Sequence, residues 1–191
     1  MKRYILLGLA LCILMSLCAG CQKTEVIFDA AAAAAPAGAF PVMQVEGLTL
    51  TPPPSFTADE AGNSWYAPDY PGDGSCITVH TAPTHPQFAS YTAEKVKLAL
   101  ETSYKASLEA DITVTMDAFE FVKVDGFDAL RLQYHFTYRD IKMNCLQYLI
   151  EADQAYTVTC IQVAEAKWMT EFNTVCTDLD FTWMPVFANV A

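Results

Sequence analysis

Between residues 92 and 109 apolar side chains recur every third or fourth position. Val96, Leu100, Tyr104 and Leu108 share one stripe, with Lys95, Lys97, Glu101 and Lys105 off it, which predicts an amphipathic helix. Thr92 is placed to cap it. A helix with one apolar stripe must cover a sheet or another helix, and a period of two follows. Ile112, Val114 and Met116 alternate, then Phe119 and Phe121 continue in the opposite phase, predicting a bulge near Asp117 and Ala118. Asp125-Gly126 is the strongest turn signal in the chain. A two-residue type I′ turn there sets Val124 opposite Phe127, Phe121 opposite Leu130, Phe119 opposite Leu132, Lys123 opposite Asp128 and Glu120 opposite Arg131. One register yields two opposite-charge pairs, so turn chemistry and pairing agree.

The next strand places Leu130, Leu132, Tyr134, Phe136 and Tyr138 on one face and Arg131, Gln133, His135, Thr137 and Arg139 on the other, a core face and a face toward water. A turn near Arg139 and Asp140 leads into Ile141 to Ile150, and Ala152-Asp153-Gln154 turns the chain into Tyr156 to Val163. These strands form an antiparallel meander. A final helix, about Ala166 to Leu179, groups Trp168, Met169, Phe172, Val175, Cys176 and Leu179. Upstream, Val42 to Leu50 predicts a strand or hairpin stopped by Pro52, Pro53 and Pro54. A loop then runs past Asp59, Gly62 and Asn63 to Trp65 and Tyr66. Pro68, Pro71, Gly72 and Gly74 punctuate a second turn region before the strand Cys76 to Thr81.

The first residues have a different character. Lys2 and Arg3 precede an uncharged run from Tyr4 to Leu17, the layout of an export signal, shorter than the roughly 20 residues of a spanning helix. The junction Leu17-Cys18-Ala19-Gly20-Cys21 resembles the bacterial lipoprotein signal, in which small residues precede a cysteine that is lipidated and becomes the new N-terminus; Cys18 stands where that family usually has leucine. The resemblance implies acylation of Cys21 (palmitate or a similar chain) and anchoring in the membrane on its extracytoplasmic side, since two or more acyl chains hold stably where one does not. An ordinary secretory signal cut near Ala19 is the alternative. Residues 1–20 then form the signal peptide and 21–40 an alanine-rich linker, with Ala30 to Ala35, Pro36 and Gly38. Residues 41–191 form one domain.

Charge narrows the partners. The chain of 191 residues is 53% apolar and carries a formal charge of -11. Loss of the leader leaves 9 basic against 22 acidic side chains, or -13. Such a surface offers no basic patch for nucleic acid and stands off from anionic headgroups on its tether.

Seven cysteines divide into Cys12 and Cys18 in the leader, Cys21, and four in the domain. Outside the cytosol four cysteines can make two disulfides. Cys145 with Cys160 is the favoured bridge, both lying in one predicted hairpin, which leaves Cys76 for Cys176. The other reading keeps Cys176 as a buried thiol on its helix. None of the four domain cysteines makes a C-x-x-C motif, which argues against a zinc ribbon or a thioredoxin-like site.

The prolines after the first strand, the Trp65-Tyr66 pair, the Asp125-Gly126 hairpin with its aromatic-rich second strand, and the closing helix together resemble the PsbP-like family over roughly residues 42–183. The resemblance implies an α+β fold in which a central antiparallel β-sheet is flanked by helices, a PsbP-like α/β sandwich found also in bacterial lipoproteins. It carries no photosynthetic role across, because fold does not fix function.

Catalytic signals are sparse. His80, His85 and His135 lack the i, i+4 spacing of a helical metal pair. His80 and His85 with Asp69 or Asp73 would make a weak metal site at best, and solvated histidines are the plainer reading. Asp59, Glu60, Asp69 and Asp73 lack EF-hand spacing. There is no G-x-S-x-G elbow and no glycine-rich phosphate loop. Trp65, Tyr66 and Tyr70 either line a binding surface or close one end of the core. The sequence therefore predicts a lipid-anchored, extracytoplasmic, non-enzymatic protein of the cell envelope that binds a protein or ligand without metal or cofactor. The alternative is a cell-surface hydrolase with paired carboxylates.

Overall fold

A computed structural model of the chain describes residues 43–45, 47–83, 86–163 and 167–181. The leader, Cys21, the alanine-rich linker and His85 lie outside the described residues. Ten strands and two helices follow in the order β1 (Met43–Val45), β2 (Leu48–Leu50), β3 (Thr57–Ala58), β4 (Ser64–Tyr66), β5 (Cys76–Ala82), α1 (Ala93–Leu108), β6 (Thr115–Val124), β7 (Phe127–Tyr138), β8 (Ile141–Glu151), β9 (Ala155–Val163), α2 (Met169–Thr177) and β10 (Asp180–Phe181). Seven strands make one antiparallel sheet in the order β3-β4-β5-β9-β8-β7-β6, and β1-β2-β10 make a second, small one. The architecture is the α+β sheet flanked by helices that the resemblance implied.

The β6–β7 hairpin has the register its turn dictates. Asp125 and Gly126 both take positive φ, 47° and 86°, as type I′ requires, and Lys123–Asp128 and Glu120–Arg131 are ion pairs at 2.7 Å. The ladder slips between Met116 and Ala118, so the phase change marks a real bulge. Helix α1 starts after Thr92, whose hydroxyl accepts the Lys95 N–H at 3.3 Å. Its stripe of Leu100, Tyr104 and Leu108 packs with Ile112 and Val114 on Leu130, Leu132, Tyr134, Phe136 and Tyr138. Glu101 reaches past the helix end to accept the Val114 N–H at 2.9 Å.

The opposite face is not left to water. Phe172, Val175 and Cys176 of α2, Leu48 and Leu50 of β2, and Phe56 cover Leu146, Tyr148, Ile150, Tyr156, Val158 and Cys160. Strands β8 and β9 are thus buried on both sides, and only β7 keeps the expected alternation, because the covering elements stop short of Arg131, Gln133 and His135. Helix α2 ends at Thr177, two residues before the predicted Leu179. Three strands escaped the sequence reading: β3, β4 and β10, of two or three residues each.

Candidate functional site

Strand β6 is an edge of the main sheet, and Phe121 on it stands 57% exposed. Its ring meets Phe119 at 5.5 Å and, at 6.2 Å, Phe88 in the short 3-10 turn that precedes α1. Phe88 in turn lies edge-on to Tyr91 at 6.1 Å. Phe88, Ala89, Phe121, Asp128, Ala129 and Glu151 enclose an open groove of about 470 Å³. The β7–β8 register sets Asp128 directly across from Glu151, an opposition of like charges that costs stability. Lys123 relieves it by pairing with Asp128. Aromatic walls with carboxylates at one end suit a ligand with an apolar body and a donor or cationic group. In the sequence Phe119, Phe121, Lys123 and Asp128 read as members of the β6–β7 hairpin, and only the fold brings the 3-10 turn with Phe88 onto β6.

The aromatic residues proposed for binding separate. Trp65 is 1% exposed, opposite Ile77 within the core beneath α2; as a binding residue it is corrected to a core residue, since β4 turns alternate side chains to opposite faces. Tyr66, on the other face, stacks at 4.4 Å on Tyr70, and both remain half-buried at the surface. The acidic loop is largely self-satisfying. Asp59 accepts the N–H of Gly62 at 2.7 Å and of Asn63 at 3.3 Å. Asp73 accepts the Ser75 N–H at 2.9 Å and hydroxyl at 2.5 Å through Oδ1, and the Trp168 indole N–H at 2.8 Å through Oδ2.

The two described histidines lie apart in chemistry. His80 is half-buried on β5, makes no hydrogen bond through Nε2, and is held below the ordinary histidine pKa by burial. His135 lies on the open face of β7 with Nδ1 2.8 Å from Asp117 Oδ2. The bulge aims that carboxylate, since Asp117 is the extra residue in the ladder. The cross-strand neighbours of His135 are Thr115 and Asn144, and nearby Arg131 bridges Glu120 and Gln133. The arrangement orients an imidazole on a polar surface. Among the described residues no three His, Cys, Asp or Glu side chains gather to hold a metal.

Neither predicted disulfide fits the fold. None of Cys76, Cys145, Cys160 and Cys176 is bridged. The β8–β9 register sets Cys145 opposite Ile161 and Cys160 opposite Leu146, which sends the two sulfurs to opposite faces. Cys76 and Cys176 are likewise divided by the sheet, packing on the α1 side and the α2 side. Cys145 lies beside the hydrogen-bonded hydroxyls of Tyr104 and Tyr134, 2.9 Å apart, and burial pushes its thiol up to about 12 and both phenols well above their usual range. These groups are inert core members at neutral pH.

No family model and no curated protein matches the sequence. Solved structures do. The solution structure of cyanobacterial PsbP (CyanoP) from Synechocystis sp. PCC 6803 superposes with a TM-score of 0.53 at 15% identity, covering 71% of this chain and 86% of that one. LpqN, described as involved in cell envelope biogenesis of Mycobacterium tuberculosis, matches with a TM-score of 0.47 at 12% identity over 71% and 83% of the two chains. The domain has a PsbP-like fold.

Proposed function

We propose that this PsbP-like chain is a lipid-anchored, extracytoplasmic binding protein of the bacterial cell envelope, tethered through acyl chains on Cys21 and meeting an envelope protein or ligand at the groove between Phe88 and Phe121. The observation that carries the reading is the basic, then uncharged, leader ending in Ala19-Gly20-Cys21, which specifies export and a lipid anchor together. The fold itself selects no ligand. Support for a binding role comes from Phe121, a large exposed ring over an open groove on the sheet edge. Mass spectrometry of the N-terminal peptide from a membrane fraction tests the anchor. Acylated Cys21 as first residue is expected, and an unmodified, uncleaved chain in the soluble fraction overturns it. Pull-down from membranes with the intact lipidated protein, compared with Phe121→Ser, tests the binding face.

One observation favours a second reading, a cell-surface hydrolase. Asp128 and Glu151 line the same groove on adjacent strands, as a pair of carboxylates acting as acid and base would. Glycan turnover abolished by Glu151→Gln in a folded variant would establish that reading.

A further inference from the structure

Cys160 and Cys176 have their sulfurs in contact, a pair that is neither of those drawn from the sequence. Sγ of Cys160 on β9 lies 3.7 Å from Sγ of Cys176 near the end of α2, and both side chains are fully buried. Cys160 points to this side because its neighbours Thr159 and Ile161 take the other face of β9. Cys176 meets it because α2 turns Phe172, Val175 and Cys176 together onto the sheet. Moving each sulfur inward by less than about 1 Å brings the pair to the roughly 2.05 Å of a disulfide. Cys76 and Cys145 have no such option. Both are paired across the sheet with Ile161, so β9 runs between them and their backbones are two strand spacings, roughly 9.5 Å, apart, beyond the roughly 7 Å that a disulfide spans.

We propose that Cys160 and Cys176 form the single disulfide of the exported domain, fastening α2 to a central strand of the sheet, while Cys76 and Cys145 stay thiols. Two S–H bonds break and one S–S bond forms. The two electrons reduce the disulfide of a dithiol oxidase or of an oxidised low-molecular-weight thiol, which takes up both protons and leaves as two thiols. Oxidation in the cell rests on the export reading above, because the cytosol keeps thiols reduced; the pairing itself rests on the fold. Both sulfurs are shielded once the domain closes, so the bridge forms while α2 is still docking.

Two measurements decide it. The mature full-length chain, reduced and denatured, is refolded in a glutathione redox buffer, alkylated and mapped by peptide mass spectrometry. A link between Cys160 and Cys176 with two alkylated positions, Cys76 and Cys145, is expected, and Cys176→Ser should show no intramolecular link. Four alkylated domain cysteines, or any other link, overturn the pairing. The same mapping on protein whose thiols are trapped in intact cells, with Cys21 examined in the same digest, separates the two readings. Alkylated Cys160 and Cys176 beside an acylated Cys21 overturn the disulfide and leave export standing. An unacylated intracellular chain overturns export, and the refolding result then stands or falls by itself.

Discussion

The indole N–H of Trp168 donates to Asp73 Oδ2 at 2.8 Å, joining the loop before β5 to the residue that opens α2. The other oxygen of Asp73 holds the backbone and hydroxyl of Ser75, whose Oγ in turn accepts the Val163 N–H at 3.0 Å at the end of β9. One carboxylate therefore fixes three segments. Asp73→Ala removes the acceptor for three donors, one of them the N–H of the fully buried Ser75, and is expected to destabilise the domain by about 3 kcal/mol. Trp168→Phe should cost about 1 kcal/mol. Urea denaturation of the single and double variants measures the coupling, and additive losses would show that the two residues act independently.

Burial of Cys145, Tyr104 and Tyr134 makes the reduced domain sensitive to alkali. Their folded pKa values are raised, Cys145 to about 12 from 9.0, so the unfolded chain loses its protons first. Stability from Cys145 is fully present below pH 9 and is lost as pH climbs from 9 toward 12, while the tyrosines add to the loss above their usual 10. The slope is about 1.4 kcal/mol per pH unit for each group. Urea midpoints between pH 8 and roughly pH 10.5 should fall along this course, and Cys145→Ala should lessen the slope between 9 and 10, the remainder coming from Cys160, whose thiol burial also pushes up.

His80 acts at the other end of the scale. Burial lowers its folded pKa below 6.5, so the unfolded chain takes up the proton first as the solution is acidified. Its contribution is present above pH 6.5 and is lost as pH falls toward the folded value. His80→Leu should remove that part of the acid lability, and an unchanged midpoint-against-pH curve for the variant would show that His80 does not cause it.

Trp65 and Tyr70 sit in one proline-rich stretch and should respond differently to truncation. Trp65→Ala leaves a large hole beneath α2 and is expected to cost about 3–5 kcal/mol. Tyr70→Ala loses the ring contact with Tyr66, worth about 1 kcal/mol. Thermal melts of the two variants compare them directly. Equal losses would remove Trp65 from the core.

The β6–β7 hairpin was legible because several independent signals converged on one register: the Asp-Gly turn, two charge pairs and the alternation on both sides. The cysteines were misread over a matter of parity. Ala152-Asp153-Gln154 is a three-residue connection that sets Glu151 opposite Ala155, so odd positions of β8 face odd positions of β9. Cys145 and Cys160 must then point apart. The count was available in the sequence, but sharing a hairpin was taken as sharing a face. Strands of two or three residues such as β3, β4 and β10 offer no period to read. The groove was hidden for another reason: Phe88 and Phe121 meet only through tertiary packing.

The pairing of β5 with β9, which sets Ile77 beside Cys160, has a consequence for the order of assembly. Everything from β3 to β5 hangs on a strand near the far end of the polypeptide. As the chain emerges N-terminus first, that early third must wait without its sheet neighbour until β9 follows. The β6–β9 meander, whose pairings are all local in sequence, supplies the template on which the earlier portion then settles.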